Sequence, residues 1–226
     1  AGTVVLPMVP PIFSVHGYLR RPWRSARGRR SLRYDLAILH DPREKLPPSD
    51  SEALQHFIAA ARELDMDAEL IQKKDFGRIA EFDALFIRET TAIDHHTFRF
   101  SRRAQNEGLV VIDDPDSILR CTNKVFLEEL LRANQVPTPG AMILHKGQER
   151  ELHERMSFPV ILKIPDGSFS RGVFKAAHKA ELEDICRRLF KDSDLILAQE
   201  YMYTDFDWRV GILDRKPLFV CKYLMS

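Results

Sequence analysis

The stretch Phe158–Val173, FPVILKIPDGSFSRGV, decides how the fold is interpreted. An apolar run typical of a β-strand carries Lys163 near its end, and Pro165–Gly167 interrupts it. A lysine in such a run is costly to desolvate unless an anion meets it. The loop that follows is rich in small residues, so its backbone N–H groups can turn toward a phosphate. The stretch therefore indicates a nucleotide-binding loop or a surface hairpin, which Asp-Gly also signals, although Asp166–Gly172 is too long for a two-residue turn.

The length and the composition are those of an ordinary globular chain of one or two domains. Its 226 residues are 44% hydrophobic and 30% charged, and no apolar run reaches membrane-spanning length. The three cysteines, Cys121, Cys186 and Cys221, are widely spaced and form no CxxC pair. This pattern predicts reduced, mostly buried thiols and a cytoplasmic rather than an oxidising compartment.

Positive charge is concentrated in residues 1–34, which contain seven arginines and no acid. The remainder has 27 basic against 33 acidic residues, which argues against a nucleic-acid-binding body. Prolines break the segment and its apolar part comes first, so it does not resemble a secretory signal. A linker or the end of an upstream domain, a basic arm for RNA or phosphate, and an organelle transit segment all remain open. The missing initial methionine favours the linker.

Residues 35–120 alternate between strand and helix patterns. Four apolar runs predict strands at Leu36–Leu39, Ala68–Ile71, Ala84–Arg88 and Leu109–Ile112. A helix follows the cap offered by the Pro-Pro-Ser-Asp turn at 47–50, and a second helix runs from about Asp94 to Asn106. This alternation predicts an α/β domain with a parallel, Rossmann-like sheet that binds ligands beyond the carboxyl ends of its strands. No G-x-G-x-x-G follows the first strand, which weakens a dehydrogenase interpretation.

The pair His95-His96 raises the question of a metal site. Adjacent helical positions point about 100° apart, so both side chains cannot easily face one ion. A helix start with one packed and one solvated histidine is the favoured interpretation, and no metal ligand is predicted.

Residues 121–226 predict a second, α+β domain. An amphipathic helix follows Thr122 or Asn123 as its cap, and Val136–Pro139 then forces an extended crossing. Further strands are predicted around Met142–Leu144, in the opening stretch and at Leu195–Met202. Helices are predicted at Gln148–Met156 and Ala180–Phe190, and an antiparallel hairpin at Asp207–Leu213 and Pro217–Tyr223.

The order of these pieces resembles a known family. A Rossmann-like domain is followed by Asn123-Lys124 at a helix start, by Val-Pro-Thr-Pro and by the strand ending at Lys163. Gln199–Met202 and Asp207-Trp208-Arg209 complete the order. It resembles the ATP-grasp proteins, specifically the RimK-like ligases that add amino acids such as glutamate to amines. The resemblance covers about residues 35–226. It implies a Rossmann-like pre-ATP-grasp domain followed by an ATP-grasp α+β domain that is incomplete, because the family's metal-ligand strands would follow Ser226.

The resemblance also implies roles for individual residues. Lys163 would reach the α/β phosphates from its strand, and Lys124 would approach from the neighbouring domain. The lid over the phosphates would be formed by Asp166, Gly167, Ser168, Ser170 and Gly172, and Arg171 could take part. The adenine hinge would be formed by Glu200, Tyr201 and Met202. Asp207 would accept from the ribose hydroxyls, and Arg209 and Lys222 would face the γ-phosphate or the acyl phosphate as catalytic residues.

The implied reaction is phosphorylation of a carboxylate by ATP, with Mg²⁺, followed by attack of an amine. The partners would be ATP and small amino-acid, peptide or protein substrates, with no membrane, and a homo-oligomer stays open. As given, the chain is expected to bind nucleotide but to lack turnover. The competing hypothesis is a nucleotide-binding or regulatory module that has the same fold without catalysis.

Overall fold

The computed structural model describes residues 32–166, 172–213 and 215–224. The predicted lid residues Gly167, Ser168, Ser170 and Arg171 and nearly all of the basic segment 1–34 lie outside these residues. The chain divides between Thr122 and Asn123 into two compact units. Within the described part, no helix is long and apolar enough to cross a membrane.

The first unit contains a four-stranded sheet with helices between its strands. Its strands are β1 (Tyr34–Leu39), β2 (Met66–Ile71), β3 (Ala84–Ile87) and β4 (Val110–Ile112). Its helices are α1 (Ser51–Glu63), a 3₁₀ helix (Lys73–Glu81), α2 (His96–Asn106) and α3 (Pro115–Thr122).

The sheet of the first unit is parallel throughout, in the order β2-β1-β3-β4. This confirms the predicted parallel sheet, because strand–helix alternation makes each strand return in the same direction. The predicted cap is also present, since the Asp50 side chain accepts a hydrogen bond from the Ala53 N–H. Ile71, Ile79, Leu85 and Phe100 are among the buried residues that join the strands to the helices.

The second unit contains a sheet, a separate hairpin and three helices. Its strands are β5 (Ala141–His145), β6 (Val160–Lys163), β7 (Val173–Ala176), β8 (Leu195–Glu200), β9 (Phe206–Leu213) and β10 (Lys216–Leu224). Its helices are α4 (Lys124–Ala133), α5 (Glu149–Arg155) and α6 (Lys179–Leu189).

Four strands of the second unit form an antiparallel sheet in the order β5-β8-β6-β7. Val160 and Leu162 of β6 are fully buried and pack in one cluster with α6 residues such as Leu182 and Cys186. Since side chains alternate along a strand, Ile161 and Lys163 lie on the opposite face. The strand that carries Lys163 is therefore a central strand and not part of a surface hairpin, although β6 and β7 are antiparallel neighbours.

The hairpin β9–β10 is paired as predicted, but it is exposed along its length. Every residue of β10 is exposed, and Trp208 in β9 keeps 62% of its surface accessible. A β-bulge interrupts the pairing between Pro217 and Phe219. Beyond the bulge, Gly211 lies opposite Phe219, and a Cβ atom at Gly211 would come within 2.4 Å of the Phe219 ring.

The prediction of mostly buried thiols is wrong for two of the three cysteines. All three are free, but only Cys186 is buried, whereas Cys121 and Cys221 are exposed. Cys186 packs against the sheet from α6, and burial raises its pKa to about 12. Cys221 is exposed because it lies on the hairpin.

Candidate nucleotide site

Lys163 is half-buried at the end of a central strand. Its cross-strand neighbour on β8 is Leu197, which places Lys163 and Gln199 on the same face of the sheet. The Lys163 ammonium donates a hydrogen bond of 2.6 Å to Gln199 Oε1. This partner is a neutral amide, so the bond leaves the positive charge of Lys163 unneutralised.

The amino end of α4 packs beside the end of β6. Asn123 caps the helix by accepting hydrogen bonds from the N–H groups of Val125 and Phe126. Its amide nitrogen donates to Asp166 Oδ1 at 3.0 Å, and the Lys124 N–H donates to the Pro165 carbonyl at 2.9 Å. Of the two caps that the sequence predicts, Thr122 and Asn123, the structure therefore has Asn123. It also ties the helix start to the segment that enters the predicted lid.

These contacts bring two lysines together in the second unit. Burial lowers the pKa of Lys124, and the positive charge of Lys163 lowers it further, while Asp166 opposes the effect. Burial also lowers the pKa of Lys163, against the opposing charge of Glu128. Both ammonium groups are therefore desolvated at a cost that a bound anion would offset. Lys124 belongs to the same unit as Lys163, which corrects the expectation that it approaches from the neighbouring domain.

Glu128 is a feature of this site that the sequence analysis missed. It is only 6% exposed, and its Oε1 accepts a hydrogen bond of 3.1 Å from the Thr138 hydroxyl. Glu128 follows Lys124 by one helical turn, so the two side chains lie on the same face of α4. An i,i+4 pair on an amphipathic helix is common, and only the structure shows that the charge of Glu128 acts on Lys163.

A hydrogen bond and a close side-chain contact join the residues on the two sides of the predicted lid. The Ile164 N–H donates to the Gly172 carbonyl at 3.2 Å, which continues the pairing of β6 and β7 into the loop. Gly172 has a positive φ of 73°, and a Cβ atom there would lie 2.7 Å from the Ile164 side chain. Gly172 is therefore required by its backbone conformation and its close contact.

The predicted hinge follows the last residue of β8. The Glu200 N–H donates to the Gly140 carbonyl at 2.8 Å, and Glu200 Oε2 accepts from the Gly140 N–H at 3.2 Å. Tyr201 is half-buried, with the Lys175 ammonium 3.7 Å from its ring centre, whereas Met202 is 59% exposed. A cavity of about 500 Å³ is lined by Glu200 together with Leu197, Glu128 and residues of β5, but not by either lysine. The lysines define the candidate site because both are half-buried, whereas Arg132 and Arg155, which line the cavity, are exposed.

The hairpin separates two residues that were predicted to act together. Arg209 pairs with Cys221 and Asp207 with Tyr223, so Asp207 and Arg209 share a face, where Arg209 donates to the Tyr223 hydroxyl at 2.9 Å. Lys222 pairs with Trp208 on the opposite face, and its ammonium lies 4.1 Å from the Phe206 ring centre.

The register places the side chains of Arg209 and Lys222 on opposite faces of the hairpin, and their roles toward the γ-phosphate or the acyl phosphate stay a prediction. The physical reason for the opposite faces is the bulge. An uninterrupted hairpin would pair Lys222 with Asp207, on the face of Arg209, and one extra residue moves Lys222 to the other face.

One group of three donor side chains in the described residues could hold a metal ion, and it lies in the first unit. It consists of Glu89, His95 and His96, whose donor atoms all lie within 4.8 Å of one another. The argument that adjacent histidines diverge fails here, because His95 is the cap of α2 and has an extended backbone, with ψ of 161°. The centres of the two histidine rings lie 3.9 Å apart. The expected pair of one buried and one accessible histidine is nevertheless present, with His96 buried.

No family model matches this sequence. The alpha-aminoadipate–LysW ligase LysX of Saccharolobus solfataricus is 29% identical over 136 residues, covering 54% of this chain and 46% of that protein. N-acetylaspartylglutamate synthase A of Homo sapiens is 30% identical over 105 residues, covering 45% of this chain and 27% of that protein. The matches thus span less than half of these curated relatives.

The crystal structure of a RimK domain ATP-grasp protein from Sphaerobacter thermophilus resembles this fold with a TM-score of 0.67. The resemblance covers 82% of this chain and 71% of that one at 17% identity, so it bears on the fold alone. The fold agrees with the predicted Rossmann-like unit followed by an α+β unit. The fold of this chain is thus similar to that of a RimK domain ATP-grasp protein, and parts of its sequence are similar to LysX and to N-acetylaspartylglutamate synthase A.

Proposed function

We propose that this chain supplies the nucleotide-binding part of an ATP-dependent carboxylate–amine ligase that adds an amino acid, glutamate, to an amine. The observation that carries the proposal is the pair of half-buried lysines, Lys124 and Lys163, held at the end of β6 by α4. Two desolvated ammonium groups, of which Lys163 destabilises the charged form of Lys124, favour a strongly anionic ligand such as a triphosphate.

The reaction would proceed in two steps. A carboxylate oxygen attacks the γ-phosphorus of ATP and ADP leaves, which gives an acyl phosphate. An amine then attacks the acyl carbon and inorganic phosphate leaves, which gives the amide. The lysines would position the phosphates and offset the charge that spreads over them in the transition state. On the hairpin, Asp207 and Arg209 share a face and would serve one ligand, with Asp207 toward the ribose and Arg209 toward the γ-phosphate.

The relatives support the substrate class. One is named as a ligase for alpha-aminoadipate and the other as a synthase of N-acetylaspartylglutamate. Both names contain an amino acid, and the second contains glutamate. Cytoplasmic location and the use of small amino-acid or protein amines are part of the same proposal.

Magnesium requires oxygen ligands. In the second unit, no three carboxylate, histidine or cysteine donors of the described residues converge on one point. The proposal therefore derives no step from a metal held by these residues. The second candidate is a nucleotide-binding or regulatory module that has the same fold without catalysis.

An assay of the full-length protein separates the two candidates. The protein is incubated with ATP, Mg²⁺, glutamate and a mixture of amines, and nucleotides and mass additions are followed by chromatography and mass spectrometry. A ligase forms ADP, phosphate and an amide in equal amounts. Nucleotide binding without any amide would favour the regulatory module, formation of AMP would contradict the acyl phosphate, and absence of ATP binding would overturn both candidates.

A further inference from the structure

A buried polar cluster lies in the first unit, whereas the lysines of the nucleotide site belong to the second unit. Glu89 follows the end of β3, His95 caps α2 and His96 is the first residue of that helix. The side chains of Glu89 and His96 are 1% and 6% exposed. Each of the three offers a donor atom that metal ions bind.

Three of the atoms in this cluster that could ligate a metal have no hydrogen-bond partner. Both carboxylate oxygens of Glu89 and the Nε2 atom of His96 are buried without a hydrogen-bond partner. Nε2 approaches Glu89 Oε2 to 2.5 Å, but this contact lacks hydrogen-bond geometry. Leaving a carboxylate unpaired in such a place costs several kcal/mol, which a bound cation would offset.

His95 is oriented as metal-ligating histidines commonly are. Its Nδ1 atom lies 3.1 Å from the hydroxyl of Thr97, which is fully buried. A hydrogen bond from one ring nitrogen to an oxygen leaves the other nitrogen available and fixes the direction of the ring. The contact with the buried hydroxyl therefore fixes the direction of the His95 ring.

Charges around the cluster favour a cation. The acids whose charge reaches it are Asp41, Glu44 and Asp94, and the bases are Lys73 and Arg99. Including Glu89, acids outnumber bases.

We propose that Glu89, His95 and His96 form a binding site for a divalent transition-metal ion of the Zn²⁺ type, which links the end of β3 to the start of α2. Two imidazoles and one carboxylate are ligands typical of such ions, whereas Mg²⁺ takes oxygen ligands. Metal–ligand bonds of about 2.0–2.2 Å separate neighbouring donors by about 3 Å, so binding would widen the contact between Nε2 and Oε2 slightly. The site does not depend on the proposed ligase activity.

The test uses zinc itself as the probe. The full-length protein is stripped with a chelator and titrated with Zn²⁺ against a competing indicator dye, and bound metal is counted by elemental analysis. One tightly bound Zn²⁺ per chain is expected, together with a rise in melting temperature on metal addition. Absence of stoichiometric binding would overturn the proposal.

Variants tie the zinc to these residues. His95→Ala, at an accessible position, should leave the apoprotein folded and weaken zinc binding by at least about tenfold. Glu89→Gln, which keeps the shape of the buried side chain, should also weaken it. His56→Ala removes an exposed histidine from α1 and should bind zinc as the unaltered protein does. Equal affinity in His95→Ala and His56→Ala would show that the metal binds elsewhere.

Discussion

The antiparallel sheet β5-β8-β6-β7 and the hairpin β9–β10 belong to the same unit but differ in what holds their side chains. In β6, alternate residues are fully buried against α6, whereas every residue of β10 is exposed. The contrast arises because the sheet has a helical layer on one face, and no layer of comparable packing covers either face of the described hairpin. Side chains that alternate with a packed core are held in fixed directions.

This difference extends to the candidate site residues. Lys163 is bonded to Gln199 on another strand, and Asp166 is bonded to the helix cap Asn123. The described partners of Arg209 and Lys222, in contrast, lie within their own hairpin. The lysine end of the sheet is thus preorganised for a ligand, while the hairpin residues depend on a register that is set by one bulge.

The largest expected difference between the two regions is in stability. Leu162→Ala should lower the free energy of unfolding by about 2–5 kcal/mol, because it leaves a cavity in the packed face of β6. Val220→Ala on β10, where 59% of the side chain is exposed, should change it by less than about 1 kcal/mol. Urea unfolding followed by circular dichroism measures both. Equal losses would show that the hairpin is packed in solution.

The second effect concerns nucleotide affinity. Lys163→Ala should weaken ATP binding by about ten- to a hundredfold, because charge-assisted bonds are worth about 1.5–3 kcal/mol each. Lys179→Ala, on the exposed first turn of α6, removes the same charge away from the site and serves as the control. Calorimetric titration with ATP measures both variants. If the two variants bind ATP equally well, Lys163 does not contact the nucleotide.

Much of the fold was predictable from the sequence because its signals are local. Each strand of the parallel sheet is a short apolar run, and Asp50 and Asn123 are side chains that cap helices directly. The 3₁₀ helix Lys73–Glu81 was not predicted, since one residue in it, Ile79, is buried and gives little periodicity.

The arrangement of the candidate site was less predictable because it depends on distant pairing. The bond between Lys163 and Gln199 requires β6 and β8 to be neighbours, which no local pattern indicates. The separation of Arg209 from Lys222 depends on the bulge after Pro217, where Leu218 looks like an ordinary strand residue. The divergence expected for His95 and His96 failed because His95 lies just outside the helix.

The third effect is a pH dependence at the lysine end of the sheet. Burial lowers the pKa of Lys163, so its ammonium loses the proton at a lower pH than an exposed lysine does. Phosphate binding needs the charged form, so ATP affinity should fall as pH rises toward and through this lowered pKa. Lys163→Arg keeps its charge over the same range and should bind ATP with a flatter pH profile. Calorimetry from neutral to alkaline pH compares the two, and parallel profiles would contradict the role of Lys163.

The smallest expected effects concern the hairpin and test its register directly. Asp207→Asn should weaken ATP binding a few-fold, because an exposed carboxylate in hydrogen-bond contact with Thr204 contributes less than a desolvated charge. Lys222→Ala should leave ATP affinity unchanged, since Lys222 lies on the opposite face from Asp207 and Arg209. Deletion of Leu218 should remove the bulge but keep Lys222 opposite Trp208, so Lys222→Ala should leave ATP affinity unchanged in the shortened chain as well. A loss of affinity from Lys222→Ala in the full hairpin, equal to that from Asp207→Asn, would show that both faces of the hairpin contact the nucleotide.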